Sequence, residues 1–249
     1  MDVDNGSSDA CGIASLSVSP NSFTCSDVGP NAVTLTVTDN NGKMSTCGAT
    51  VTVEDLVFPV ARCQNAVVQL DPWGNGQIRA AEIDGGSTDN CGITSMTAFP
   101  NTFNCLDVGS VPVMFTVTDA AGNSSGCVAN VKVQDMVKPM AVCTNITVQL
   151  DGTGMAMISA SDVDGGSSDA CGILPPSVSQ NIFTCSDVGD VPVTLTVQDF
   201  SGNQSTCVAT VKVEDTVDPI ASCKNTTVQV GGSGMATITP GDVDADSMD

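Results

Sequence analysis

The chain has 249 residues, of which 28 are acidic and 7 basic, for a net charge of −21. Such a surface repels nucleic acid and anionic lipid, so neither a polyanion partner nor membrane insertion is expected. With no His, no Tyr and a single Trp, it lacks the commonest general base, the commonest nitrogen metal ligand and most stacking platforms for sugars or bases, and no enzymatic activity is expected.

The chain opens in "DVDNGSSDACG" (residues 2–12), which returns as "EIDGGSTDNCG" (82–92) and "DVDGGSSDACG" (162–172). The cysteines repeat with it: Cys11, Cys25, Cys47 and Cys63, then Cys91, Cys105, Cys127 and Cys143, then Cys171, Cys185, Cys207 and Cys223, each set displaced from the last by the interval that separates Cys11 from Cys91. A fixed period of this length signals one small domain copied along the chain. The copies divide it into a partial repeat over 1–56 that lacks its first hairpin, whole repeats over 57–136 and 137–216, and the first hairpin of a further repeat over 217–249.

The third copy shows the elements in order. "CTNITVQLD" (143–151) and "AMISASDVD" (156–164) flank "GTG" and read as a hairpin. The acidic loop follows, and "ILPPSVSQNIFTC" (173–185) supplies a pair of short strands. In "VPVTLTVQD" (191–199) Val193, Leu195 and Val197 share one face and Thr194, Thr196 and Gln198 the other, the period of a half-buried strand. "CVATVKVED" (207–215) repeats the pattern with Ala209, Val211 and Val213, and the Gly-Asn of "FSGNQST" between them predicts a hairpin turn. No stretch has a helical period. The predicted fold is all-β: tandem immunoglobulin-like β-sandwich domains on an 80-residue repeat, stapled by disulfides.

The segments "PMAVCTNITVQL" (139–150), "DACGI" and "DNCGI", "FTCSDVG", "VTLTVTDNNG" (33–42) and "CVATVKVEDTVDP" (207–219) together resemble hyalin-type repeats, especially the tandem forms in large secreted surface proteins of Bacteroidetes-like bacteria. The resemblance covers essentially the whole chain. It implies an extracellular immunoglobulin-like module for adhesion or spacing with no catalytic residues. The cysteines of the CGI and FTC segments depart from the outer pair that such repeats often carry alone.

Without His or any CxxC pair the zinc spacings are missing, so the cysteines are expected to form disulfides in an oxidising compartment outside the cytoplasm. Strands starting at Cys63 and Cys127 begin at the same end of a sandwich and can run side by side, which pairs Cys63 with Cys127 and, one repeat on, Cys143 with Cys207. Cys47 and Cys63 fall at opposite ends of a domain and are excluded. The pairs left over are Cys91 with Cys105, Cys11 with Cys25, and Cys171 with Cys185.

Topology also gathers acidic segments. The loop after the first hairpin, the turn of the last hairpin and the linker entering each domain are expected at one end. They bring Glu54 and Asp55 to Asp84, Asp89 and Asp119, then Asp135 to Asp164, Asp169 and Asp199, with Asp215 and Asp244 as the next set. An all-oxygen set suits a hard cation, and calcium is the expected cofactor. Asp, Asn, Ser and Gly are equally what β-turns require, and the loop does not fit the EF-hand pattern, so the expectation rests on convergence alone.

Residues 217–241 and 2–56 together supply the positions of one whole repeat, and "DVDADSMD" (242–249) matches "DVDNGSSD" (2–9) at five of eight positions. Expected partners are therefore copies of the chain joined head to tail, with Cys223 of one bonded to Cys47 of the next, or further repeats of a longer chain. The expected role is an extracellular or cell-surface stalk or filament. The alternative is a glycan- or protein-binding adhesion module using its loops, with Trp73 in "DPWGNG" as a conceivable sugar contact. Sequons stand at Asn5, Asn123, Asn145, Asn203 and Asn225.

Overall fold

The computed structural model describes residues 3–247, and these form two compact units. One runs through Gln69 and resumes over Asn75–Gln134; the other comprises Leu70–Gly74 and the chain from Asp135 on. In the first unit, β1 (Ile13–Ser19), β2 (Gly29–Asp39) and β3 (Met44–Val53) form an antiparallel sheet in that order. The whole repeat after it contains β4 (Ala66–Gln69), β5 (Asn75–Gln77), β6 (Ile93–Phe99), β7 (Thr102–Asn104), β8 (Gly109–Asp119) and β9 (Ser124–Gln134). They pair as a four-stranded sheet, β4-β9-β8-β6, and a two-stranded sheet, β5-β7.

The second unit repeats this plan with β10 (Ile146–Gln149), β11 (Met155–Met157), β12 (Ser177–Val178), β13 (Ile182–Thr184), β14 (Gly189–Gln198) and β15 (Gln204–Glu214). Its sheets are β10-β15-β14-β12 and β11-β13. The helices are single turns, α1 (Ala160–Val163) and α2 (Pro240–Val243).

Alternation decides the core. Val193, Leu195 and Val197 of β14 and Ala209, Val211 and Val213 of β15 are buried, and they pack with Phe183, Ala156, Ile158, Val163 and Leu150 into one apolar cluster between the two sheets. The β14–β15 hairpin is the one read from the sequence, and its turn uses Gly202 in the left-handed region, where a side chain would be strained.

The first hairpin is not one. β10 lies parallel to β15, with Ile146 opposite Val211, while β11 lies antiparallel to β13 in the other sheet. The turn between them still closes, with Asp151 N–H donating to the Met155 carbonyl at 2.9 Å, but the chain then crosses from one layer to the other. Apolar residues on both arms explain the crossing: Leu150 covers the core from one side, and Ala156 and Ile158 from the other. The strands within 173–185 are likewise divided, β12 against β14 and β13 against β11.

Disulfides join Cys63 to Cys127 and Cys143 to Cys207, with Cα separations of 6.0 and 5.8 Å. The short pairs are corrected. Cys91 is bonded to Cys25, across successive repeats, and to neither Cys105 nor any cysteine of its own repeat. That also removes Cys11 with Cys25, and Cys185 is a free thiol, which removes Cys171 with Cys185. The reason is strand exchange: β6 has seven residues and β7 three, in different sheets, so the returning chain does not come back beside Cys91. Cys105 and Cys171 are each disulfide-bonded. Cys11, Cys47, Cys185 and Cys223 are free and exposed.

Candidate metal centre

At the first whole repeat three loops each place one carboxylate. Asp55 sits in the linker after β3, Asp89 in the acidic loop before β6, and Asp119 at the end of β8. Carboxylate oxygens of all three lie within 4.8 Å of one another. Each side chain first builds its own turn. Asp55 Oδ1 accepts from Val57 N at 3.1 Å, Asp89 Oδ1 from Cys91 N at 2.8 Å, and Asp119 Oδ1 from Asn123 N at 2.8 Å. The Asx-turn role thus occupies one oxygen of each residue.

The second oxygens carry the functional signal. Asp55 Oδ2 and Asp89 Oδ2 are buried and have no hydrogen-bond partner. A buried carboxylate oxygen without a partner beside two like charges is unfavourable, and a positive charge between them would relieve it. Asp119 Oδ2 accepts one bond, from Asn123 Nδ2 at 2.8 Å, and keeps a lone pair. Burial pushes the Asp119 carboxyl up, but the Asn123 side chain and the backbone N–H groups of residues 121–123 together hold it below its ordinary value.

In the second unit a carboxylate oxygen of Asp135, one of Asp169 and the Cys171 sulfur lie within 4.8 Å of one another, while the fully buried Asp199 is outside that group but near enough for its charge to act on Asp169. Asp135 Oδ1 accepts from Val137 N at 3.0 Å, and Asp199 accepts from Ser201 N, Asn203 N and Asn203 Nδ2. Asp169 is pushed above its ordinary value by burial, against the bond from Cys171 N, and further by the charges of Asp135 and Asp199. Its ionisation therefore opposes folding. The penalty is absent below the unfolded value near 3.8 and complete once pH exceeds the raised folded value. The Cys171 sulfur is spent in a disulfide.

Two asparagines lock the geometry. Asn123 Nδ2 donates to the Asp55 and Val57 carbonyls as well as to Asp119, and Asn203 Nδ2 does the same for Asp135, Val137 and Asp199. The sequence marked both only as sequons; their place in the hairpin turn facing the linker was the available signal.

Glu54, Asp84, Asp164, Asp215 and Asp244 belong to neither cluster. Asp84 and Asp164 point into their own loop, where each accepts from the N–H and hydroxyl of the serine three residues on, Ser87 and Ser167. These bonds hold their carboxyls below the ordinary value, so the stability they contribute is present above pH 3.8 and lost as pH falls through the folded values. Asp244 does the same with Ser247. Asp215 is exposed and accepts from Val217 N, and Glu54 is exposed. Trp73 is 78% exposed.

No family model matches the chain. Among curated proteins it is similar to hyalin of Strongylocentrotus purpuratus, 30% identical over 238 residues, covering 86% of this chain and 19% of that one. It is also similar to hyalin of Lytechinus variegatus, 28% identical over 224 residues, covering 82% and 41%. The chain thus spans about a fifth and about two fifths of these relatives, and neither bears on the bacterial form of the repeat. Solved structures that resemble it include the protocadherin gamma B7 extracellular cadherin domains 1–4, with TM-score 0.34 and 10% identity over 83% of this chain and 63% of that one. A titin I67–I69 variant gives TM-score 0.33 and 13% identity over 77% and 76%. The repeating chain is thus similar in sequence to hyalin over most of its own length.

Proposed function

We propose that the chain is a run of extracellular adhesion-type repeats that serves as a spacer or shaft, and that calcium stiffens the entry to each whole repeat. Asp55, Asp89 and Asp119 would hold one ion, and Asp135, Asp169 and Asp199 another. The observation that carries the reading is the pair of buried, unpartnered oxygens of Asp55 and Asp89 facing a third carboxylate. All candidate ligands are oxygens on loops, which suits the six to eight flexible contacts calcium takes. A bound ion would tie linker, acidic loop and hairpin turn into one block, because each supplies a ligand, and Asn123 and Asn203 already align two of the three. The disulfides accord with an extracellular setting. Among the described residues no helix is long and apolar enough to cross a membrane.

The test is thermal unfolding in EGTA and in 10 mM calcium, beside calorimetric titration. Affinities typical of extracellular modules, roughly 10⁻⁴ to 10⁻³ M, give about 1.4 to 2.7 kcal/mol of stabilisation per site at that concentration. Asp89→Asn should remove one site and leave the other. Identical melting profiles with and without calcium, and no heat of binding, would reject the reading.

A further inference from the structure

Three sequons lie inside the whole repeats, at Asn123, Asn145 and Asn203, completed by Ser125, Thr147 and Ser205. Carbohydrate attaches to the amide nitrogen and leaves it one hydrogen in place of two, so the existing bonds of each Nδ2 decide whether the folded chain can carry it. Asn123 and Asn203 are closed to it. Each is half-buried in its hairpin turn, where its Nδ2 donates to two linker carbonyls and to a carboxylate. A sugar on that nitrogen would take the place of the linker and undo the lock on Asp119 or Asp199.

Asn145 is held the other way round. It is exposed immediately before β10, and its Oδ1 accepts from Thr210 N of β15 at 2.8 Å. The side chain is thus fixed through its oxygen, while Nδ2 has no partner among the described residues. Glycosylation leaves that oxygen unchanged, so the bond and the modification are compatible. The geometry belongs to the module: Asn65, the counterpart in a repeat that is followed by another, is also exposed, and its Oδ1 accepts from Asn130 N at 2.9 Å. Asn65 opens on a surface groove of about 470 Å³, with Val67 and Lys132 among its lining residues. What the preceding repeat lacks is the third residue of the sequon, since Val67 stands in the place of Thr147. Both positions are exposed, so core packing does not ask for the threonine.

We infer that Asn145 is an N-glycosylation site and that Asn123 and Asn203 stay unmodified in the folded chain. The inference rests on the extracellular reading, because the donor, a lipid-pyrophosphate-linked oligosaccharide, is met in a secretory pathway. In the transfer Nδ2 bonds to the anomeric carbon of the first N-acetylhexosamine, and the bond from that carbon to the pyrophosphate oxygen breaks. The lipid pyrophosphate leaves with the electron pair, and Nδ2 gives up one proton to water. β10 is an edge strand of its sheet, so the carbohydrate stands at the start of an open edge, where its bulk keeps a foreign strand from pairing.

The whole chain, sent through the secretory pathway of insect cells behind a cleavable leader, tests this by site-resolved peptide mass spectrometry before and after enzymatic removal of N-glycans. The expected result is carbohydrate on Asn145 and none on Asn123 or Asn203 in the secreted protein. Thr147→Val removes the sequon without touching the Asn145 bond. Occupancy at Asn145 should vanish, with the melting temperature of the deglycosylated protein within about 2 °C of the parent. Val67→Thr completes a sequon at Asn65 and should add a glycan there. An unmodified Asn145, an unmodified Asn65 in the Val67→Thr variant, or carbohydrate on Asn123 or Asn203 of the secreted protein would each overturn the inference. Retention of the chain in the cell would count against the extracellular reading alone, because transfer precedes export. The Asn145 peptide of the retained pool then decides the site, glycosylated in its favour and bare against it.

Discussion

Replacing Cys143 and Cys207 together by Ser is expected to cost the second unit about 4 kcal/mol, the chain-entropy value for a loop of this length. The bond links positions 64 apart in sequence at a Cα separation of 5.8 Å. Its structural role magnifies the effect. Three residues after Cys143 the chain enters β10, which adds only four residues in parallel to β15, too short a strand to hold its place unaided. Losing the staple frees β10, and with it Leu150, which seals the end of the core. Equilibrium unfolding in denaturant measures this directly: the midpoint should fall, with a steeper slope because the denatured chain loses its cross-link and exposes more surface. A loss below about 1 kcal/mol would mean that β10 is held by its own packing.

Phe183→Ala should be of similar size, about 3 to 5 kcal/mol. Phe183 is fully buried on β13, the short strand that carries most of the second layer, and it is the largest side chain in an otherwise aliphatic core. Aliphatic neighbours anchored on three strands cannot close around the void. Phe200 provides the contrast, being 69% exposed at the hairpin turn, and Phe200→Ala should stay within about 0.5 kcal/mol of the parent. At roughly 2 to 4 °C per kcal/mol for chains of this size, a differential scan resolves the two. Equal melting temperatures for both variants would show that the second layer does not seal the core.

What the sequence disclosed follows from what each signal encodes. Alternation in 191–199 and 207–215 specifies which side chains face inward, and a Gly-Asn turn specifies the return, so the β14–β15 hairpin was legible. The arms around "GTG" carry the same inward pattern, but alternation does not say which layer each arm joins, and only the need to cover the core from both sides sends β10 and β11 apart. The disulfides failed for a related reason. Because the cysteine pattern repeats by simple translation, it marks a partner ahead in the same repeat and one behind in the preceding repeat as equivalent. Cys91 with Cys105 and Cys91 with Cys25 therefore look alike until strand lengths are known. Among the carboxylates, the convergence of linker, loop and turn was readable from topology. The choice of Asp89 over Asp84 was not, because both lie in one loop and differ only in which turn claims them: Asp84 gives its oxygen to Ser87, while Asp89 keeps one oxygen unpaired.

The carboxylate clusters give the repeat a dual logic. Without a cation, close negative charges oppose the packing of linker against loop, and Asp169 bears that cost above its raised pKa. Under the calcium reading proposed above, the same charges would become the attachment. Asp169→Asn therefore tests the account most directly, since the amide oxygen can still accept from Cys171 N while the charge is gone. Thermal unfolding in EGTA at pH 7 should show the variant at least as stable as the parent, and in 10 mM calcium less stable, a reversal of sign between the two conditions. A variant that is equally destabilised in EGTA and in calcium, with the parent's calcium shift intact, would contradict the assignment of Asp169 to a cation site.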